Sequence, residues 1–314
     1  MGVICVTMAG SMGIPILLTG GAVLAGSFFG DRCSPMSTSA LLVSTLTKTD
    51  LFRNIRGMVK TSLVPFFLSC VIFALMGLGA GSGENTSDIR EIFSENFSLH
   101  PTVLIPAAVI VLLSAFRVNV KITMTVSILC GAAVCLFVQK IPPMELLRLA
   151  VMGYTPENGE VGALLSGGGL VSMLKSVCII CISSCYSGMF SGTGLLDGIQ
   201  NHIEKLSRRL TPFGGILVTA VLTAMIACNQ TLGIMLTHQL CGDTEKDPQH
   251  MALALENTSV VVNPLIPWSI ASAVPLSSAG APAFCVLTAV YLWLLPLWNW
   301  CVALWERRKT QKTA

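Results

Sequence analysis

Charged side chains are scarce in this sequence. Asp, Glu, Lys and Arg make up 11% of its 314 residues, against about a quarter in a soluble domain. That is too few to cover a globular surface, and a soluble fold is excluded. Histidine is scarcer still: His100, His202, His238 and His250 are scattered, without the spacing of a zinc site. The sequence holds no nucleotide loop, helix-borne HExxH or nucleophile elbow. Gly167-Gly168-Gly169 lacks the lysine and context of a phosphate loop and reads as a helix breaker. The chain is therefore expected not to be an enzyme and to carry no cofactor or resident metal. A net charge of +3 is small, and no nucleic-acid partner is expected. No basic n-region of a signal peptide follows Met1, and Val6 stands where a myristoylation signal has Ser or Thr. The chain runs straight into apolar residues, as if from the middle of a longer one.

What is abundant is apolar sequence. Hydrophobic residues make up 53% of the chain and mean hydropathy is +0.74. Apolar runs near the ~20 residues that cross a bilayer recur along it. The chain is thus expected to be integral to a membrane, in contact with lipid. Twelve cysteines lie mostly inside these runs, as do Cys70, Cys130, Cys135 and Cys228, and read as small hydrophobes. Cys178 and Cys181, with Cys185 one turn on, lack the polar surroundings of a metal or redox site.

The runs mark about eight membrane segments. Residues 14–47 are interrupted by Gly20-Gly21, Gly26, Gly30-Asp31 and Pro35. Residues 61–79 are clean, and 103–116 and 122–138 form a pair split by Arg117 and Lys121. Residues 164–190 contain Lys175, which either lies within the span or snorkels from its end. Residues 217–240 are broken at Asn229-Gln230, and 258–275 at Asn263-Pro264 and Pro267. Residues 283–305 close the chain with an aromatic-rich span.

Charge asymmetry orients these segments. Lys48, Arg53, Arg56 and Lys60 place the first loop in the cytoplasm; Glu84, Asp88, Glu91 and Glu95 place the next outside. Arg117 and Lys121, then Lys205, Arg208 and Arg209, then Arg307, Arg308, Lys309 and Lys312 return inside. Between Arg209 and Arg307 the chain must cross an even number of times, yet three apolar segments lie there. Making 217–240 a re-entrant hairpin resolves the parity. Non-helical backbone at that depth needs protein or a water-filled cavity around it, so the breaks point to a site. Asn85-Thr86-Ser87 and Asn96-Phe97-Ser98 match glycosylation acceptors by chance. Gly26–Gly30 and Gly188–Gly192 match GxxxG and favour close helix contact. They are compatible with a homo-oligomer without establishing one.

Two segments concentrate polar groups in apolar surroundings: Gly30-Asp31-Arg32-Cys33-Ser34-Pro35-Met36-Ser37-Thr38, and Glu256 to Ser269, ENTSVVVNPLIPWS. Proline removes a donor and frees the carbonyl four residues back. Such carbonyls, with Ser, Thr and Asn oxygens, can replace the hydration shell of sodium, as broken helices do in secondary transporters. A carboxylate there is a functional candidate by default. Plainer readings stand beside this one: Asp31 paired with Arg32 at a helix end, Asn257 and Asn263 bonded across helices, Glu256 at the membrane interface.

These segments resemble the NhaC family of sodium/proton antiporters, part of the wider ion-transporter superfamily. GSFFGDRCSPMS, beginning at Gly26, is similar to that family's GxYFGDKxSPLSD block, and DLFRNIR from Asp50 to its DLFxHIRN continuation. LENTSVVVNPLIPW, Leu255 to Trp268, is similar to LEDxGTxxSPLIPWN, and NQTLGIMLTHQL to the hairpin containing Asp-Gln. The resemblance implies two inverted repeats, each with a hairpin and a broken helix. Asn229-Gln230 lies about 34 residues before Asn263-Pro264; the counterpart before Ser34-Pro35 would fall upstream of Met1. The chain is therefore expected to be a truncated reading frame lacking its N-terminal part. Three family carboxylates are neutral here, as Thr38, Asn229 and Asn257, leaving Asp31 and Glu256 as the matched acids.

The resulting expectation is an all-α, polytopic transmembrane helix bundle with inverted-repeat architecture, a re-entrant hairpin and discontinuous helices. It forms a single domain over 1–314, with 1–140 the rest of the first repeat plus linker helices and 141–314 the second repeat. Its expected activity is exchange of sodium for protons across a bacterial plasma (inner) membrane, multi-pass, with the C-terminus cytoplasmic. The alternatives are a sodium-coupled carrier of a small organic anion or amino acid, or an inactive truncated transporter. The expected ion-binding residues are Asp31, Ser34, Ser37, Thr38, Asn229, Thr231, Asn257, Thr258 and Asn263, with Asp31 as proton carrier and Pro35, Pro264 and Pro267 as helix breaks.

Overall fold

A computed structural model of the chain describes residues 2–79, 101–154 except 117 and 119, scattered positions between 169 and 193, and 211–313 except 243. The acidic loop, the glycosylation tripeptides, Lys175 and the Lys205–Arg209 cluster lie outside the described residues. Everything regular among the described residues is helical. Two compact units are present: residues 1–81 with 178–314, and residues 82–177.

In the first unit, α1 (Gly2–Ser11) and α2 (Ile16–Arg32) are followed by a break. Pro35 cannot donate to the Asp31 carbonyl, and the Ser34 N–H takes that acceptor instead at 3.2 Å. Ser37 then caps α3 (Thr38–Thr47), its hydroxyl accepting from the Ala40 N–H at 3.2 Å. Lys48, left-handed at φ 55°, ends α3, and Asp50 caps α4 (Leu51–Leu78). The 28-residue α4 is the one helix among the described residues that is by itself long and apolar enough to cross a bilayer. Pro65 sits inside it.

In the second unit, a 3-10 turn (Pro101–Leu104) leads into α5 (Ile105–Ala115), α6 (Val120–Phe137) and α7 (Pro143–Met152). α5 and α6 pack together, with the Ser127 hydroxyl donating to the Pro106 carbonyl at 3.2 Å. Val111, Phe116, Ile128, Leu129 and Phe137 are all exposed, and no described residue of this unit contributes a buried large hydrophobic side chain.

The first unit resumes with a hairpin of α8 (Pro212–Ala227) and α9 (Gln230–Cys241). Thr211 caps α8 ahead of Pro212, the position where a missing N–H costs nothing. Left-handed Cys228, φ 53°, reverses the chain, and Asn229 caps α9. Neither arm has the ~20 residues of a spanning helix. α10 (Pro248–Asn257) is interrupted at Thr258, φ −122° and ψ −81°, before the short α11 (Ser259–Val262) and a 3-10 turn (Asn263–Leu265). α12 (Ile270–Ser278) follows at a 59° bend, and only together are the two stretches long and apolar enough to cross a bilayer. A 3-10 segment (Ala283–Thr288) and α13 (Val290–Thr313) end the chain.

The interrupted runs thus resolve into shorter helices at their Pro, Asn and Gly positions, whereas 61–79 falls in the longer α4 and its cap Gly79, 122–138 corresponds to α6, and 164–190 lies largely outside the described residues. The helices α1, α7 and α10 were not foreseen. The core of this unit centres on Leu24, Phe28, Val261, Leu276, Leu292 and Leu295, with a second cluster of Val43, Ile216, Ile234, Leu255 and Val260. Gly20 lets α2 meet the Ala283–Thr288 segment, since a Cβ there would stand 2.5 Å from the Cys285 Sγ and 3.0 Å from its Cβ.

Candidate functional site

A guanidinium lies at the centre of the first unit. Arg32, the last residue of α2, is fully buried, as is Glu256 on α10, and their Nε and Oε2 atoms are 3.9 Å apart. One Nη of Arg32 donates to the Ser62 hydroxyl and, at 3.2 Å, to the Tyr291 phenol. The other donates to Asn257 Oδ1 and, at 3.5 Å, to the Thr61 hydroxyl. The acceptors bind one another: Tyr291 donates to Ser62 at 3.1 Å and Thr61 to Asn257 Oδ1 at 3.1 Å. Four helices, α2, α4, α10 and α13, therefore meet on one side chain.

The hub is unevenly satisfied. Arg32 Nε and both carboxylate oxygens of Glu256 have no hydrogen-bond partner. Burying a charge costs several kcal/mol even after relaxation, and attraction offsets it only with good geometry and further hydrogen bonds. Here the cation has four partners and the anion has the cation alone, beyond bonding distance.

Asp31 occupies a different environment. It is partly exposed and accepts from the Ser39 hydroxyl at 2.9 Å, with Ser39 in turn 2.8 Å from the Ser37 hydroxyl. Ser34 accepts from the Met36 N–H at 3.1 Å, within the turn. Thr38 is exposed; Ser39, its neighbour, is the hydroxyl that reaches Asp31. Arg32 is turned into the bundle toward Glu256, so neither an Asp31–Arg32 surface pair nor an interfacial Glu256 describes the fold.

A second polar cluster joins the hairpin to the broken helix. Pro264 frees the Val260 carbonyl, which Gln230 on α9 caps at 3.2 Å. Where α8 ends, the Cys228 carbonyl accepts from the Ile270 N–H at 3.0 Å, and Trp268 donates to the Met225 carbonyl at 3.1 Å. The Thr237 hydroxyl lies 2.8 Å from that of Thr223 and 3.4 Å from that of Ser259. Asn263 donates to its own helix, to the Ser259 carbonyl at 2.7 Å, and its Oδ1 has no partner. Asn229 caps α9 with Oδ1, 3.0 Å from the Thr231 N–H, and leaves Nδ2 unpaired. Thr258 donates to the Ala254 carbonyl at 2.7 Å. The Thr231 side chain is exposed, as is Pro267, whereas Pro264 is buried and Pro35 half-buried.

Of the residues picked from sequence, Asn257 joins the hub, Asn229, Asn263 and Thr258 line the hairpin seam, and Asp31, Ser34 and Ser37 share the α2–α3 break. Thr38 and Thr231 fall outside all three. Arg32, Thr61, Ser62 and Tyr291 were missed. An arginine inside an apolar segment was the available signal for the first; nothing local marked the others.

A cavity of about 760 Å³ opens beside the hub, its lining including Thr61 and Asn257 of the hub together with Glu245, His250, Glu306 and Arg307. Its volume falls within the range of small-molecule sites.

The sequence matches the Na+/H+ antiporter family over residues 26–298. Among curated relatives, the malate-2H(+)/Na(+)-lactate antiporter of Bacillus subtilis is 25% identical, covering 93% of this chain and 64% of that protein. The Na(+)/H(+) antiporter NhaC of the same organism is 28% identical, covering 90% and 65%. The arginine/ornithine antiporter ArcD of Halobacterium salinarum is 27% identical, covering 94% and 64%. The chain thus spans just under two thirds of the length of these relatives. No solved structure matches it. The resemblance to NhaC proteins holds along nearly the whole sequence, and the chain belongs to the Na+/H+ antiporter family of membrane-embedded transporters.

Proposed function

We propose that the chain is the core of a secondary antiporter that exchanges sodium for protons by alternating access. The observation that carries this is the fully buried Glu256 carboxylate, whose two oxygens have no hydrogen-bond partner, next in sequence to Asn257, which lines the cavity. A carboxylate in that setting can take either a proton or a cation, and the two exclude each other. Asn257 and Thr61 supply neutral oxygens on the cavity side, while Asn263 and Asn229, first candidates as ligands, belong with Ser259 to the hairpin seam that frames the site. Asp31 takes a secondary role at the α2–α3 break. The setting proposed is a bacterial plasma (inner) membrane with the C-terminus cytoplasmic. In this arrangement α8–α9 is a re-entrant hairpin, residues 1–140 hold the rest of the first inverted repeat, and 141–314 hold the second.

The cavity volume favours one second reading, a sodium-coupled carrier of a small organic anion or amino acid, because a single ion needs far less room. Relatives named for malate, lactate, arginine and ornithine exchange keep the same company. Everted vesicles distinguish the two. Sodium chloride alone should dissipate an imposed pH gradient, and Glu256→Gln should abolish the response. A sodium response that appears only with an added carboxylate or amino acid would transfer the function to the second reading.

A further inference from the structure

We propose that the Arg32 guanidinium is a tethered cation competing with the transported one, and that Ser62 and Tyr291, by holding it, set the cation's affinity without touching it. This rests on the exchange reading above.

Oxygen atoms surround the guanidinium. Four of its five N–H donors face oxygens: the Ser62 hydroxyl, the Tyr291 phenol, the Asn257 amide oxygen and the Thr61 hydroxyl. The fifth, on Nε, lies 3.9 Å from Glu256. Hydroxyl, amide and carboxylate oxygens are also what a sodium ion takes in place of water. A cage of them around a fixed positive charge is a cation site with its occupant covalently attached. One lone pair cannot serve both occupants, so sodium and Arg32 compete for these atoms.

The cage has two sides. Thr61 and Asn257 line the cavity, whereas Ser62 and Tyr291 are buried behind it. A cation entering through the cavity meets first the two oxygens that one Nη now holds. To reach Glu256 it must take them from that nitrogen. The other Nη, bonded to Ser62 and Tyr291, anchors the side chain and resists its withdrawal. Such a device has a physical use: when the transported cation leaves, the guanidinium returns, and Glu256 is not left buried without a counter-charge before a proton reaches it.

Competition fixes the sign of two substitutions. Ser62→Ala and Tyr291→Phe each remove one acceptor from the anchoring Nη. The phenylalanine keeps the ring that meets Phe29 edge-on at a centroid distance of 5.4 Å, so packing survives. With the guanidinium less firmly held, sodium should displace it more readily. The sodium concentration giving half-maximal proton movement should fall by roughly fivefold in each variant, the equivalent of one hydrogen bond. If Ser62 or Tyr291 were instead sodium ligands, that concentration would rise. If they were only structural, it would stay put while the maximal rate and thermal stability fell.

The experiment is a sodium chloride titration of proton movement in proteoliposomes, with choline chloride as the control, for the wild type and both variants. A lowered half-maximal concentration in both variants supports the proposal. An unchanged or raised value, with a responsive wild type, overturns the proposal alone. A wild type that ignores sodium overturns the exchange reading and this inference with it.

Discussion

Two polar clusters lie within one helical unit, and they handle burial in opposite ways. In the seam between the α8–α9 hairpin and the α10–α12 break, backbone carbonyls freed by a helix end or a proline have found partners within the protein, and the two buried atoms left without one, Asn263 Oδ1 and Asn229 Nδ2, are neutral. Gln230 takes the Val260 carbonyl, Ile270 takes that of Cys228, and the Thr237 hydroxyl is close to two others. All its members are neutral. The Arg32 hub is charged, and its anion lacks every hydrogen bond a carboxylate normally accepts. A satisfied neutral network rigidifies, whereas a partly satisfied charged one is costly to keep unless it is used. On the exchange function proposed above, the seam is framework and the hub is the place of ion exchange.

The largest expected effect strikes the hub. Glu256→Gln should reduce sodium-dependent proton movement to background. It also leaves Arg32 buried without its counter-charge, and breaking such a pair costs about 3–5 kcal/mol. Thermal unfolding of the purified variant should therefore shift downward as well. Retained exchange with normal stability would remove the hub from the ion path.

The next test strikes the seam. Gly233 faces Asn263 so closely that a Cβ would stand 2.6 Å from its Nδ2 and 2.8 Å from its Oδ1. Gly233→Ala should cost about 1–3 kcal/mol by overpacking and pry the hairpin from the broken helix. If the seam is framework, thermal stability falls while the half-maximal sodium concentration of surviving protein is unchanged. A large change in that concentration without loss of stability would place the ion in the seam instead. Asn229→Ala should be milder. It removes the α9 cap, worth about 1 kcal/mol, and should lower the unfolding temperature by a few degrees without altering sodium dependence.

The seam was largely legible in the sequence, and the hub was not. Asn263-Pro264 and Asn229-Gln230 announce backbone breaks because proline and capping residues act on their immediate neighbours. The start of α10 carried a similar local mark, Asp247-Pro248, at a cap followed by N1. By contrast Arg32 meets Asn257 across 225 residues and Tyr291 across 259. No local pattern encodes which helix ends converge, so the motif around Asp31 is visible in the sequence while the convergence on its neighbour Arg32 is not. Thr38 and Ser39 show the same limit on a smaller scale: one residue along a helix turns a hydroxyl from the break to the exterior.

Asp31→Asn gives the smallest expected effect and the sharpest check on that reassignment. The substitution keeps the size of the side chain and an oxygen for the Ser39 hydroxyl at 2.9 Å. What it removes is a charge from a partly exposed position. A hydrogen bond to a charged acceptor exceeds a neutral one by about 1 kcal/mol, so sodium-dependent exchange should fall by no more than about fivefold. Abolished exchange in a stable Asp31→Asn variant would return the proton to Asp31. Glu256 would then be the fixed counter-ion of Arg32, and the hub, like the seam, would be framework.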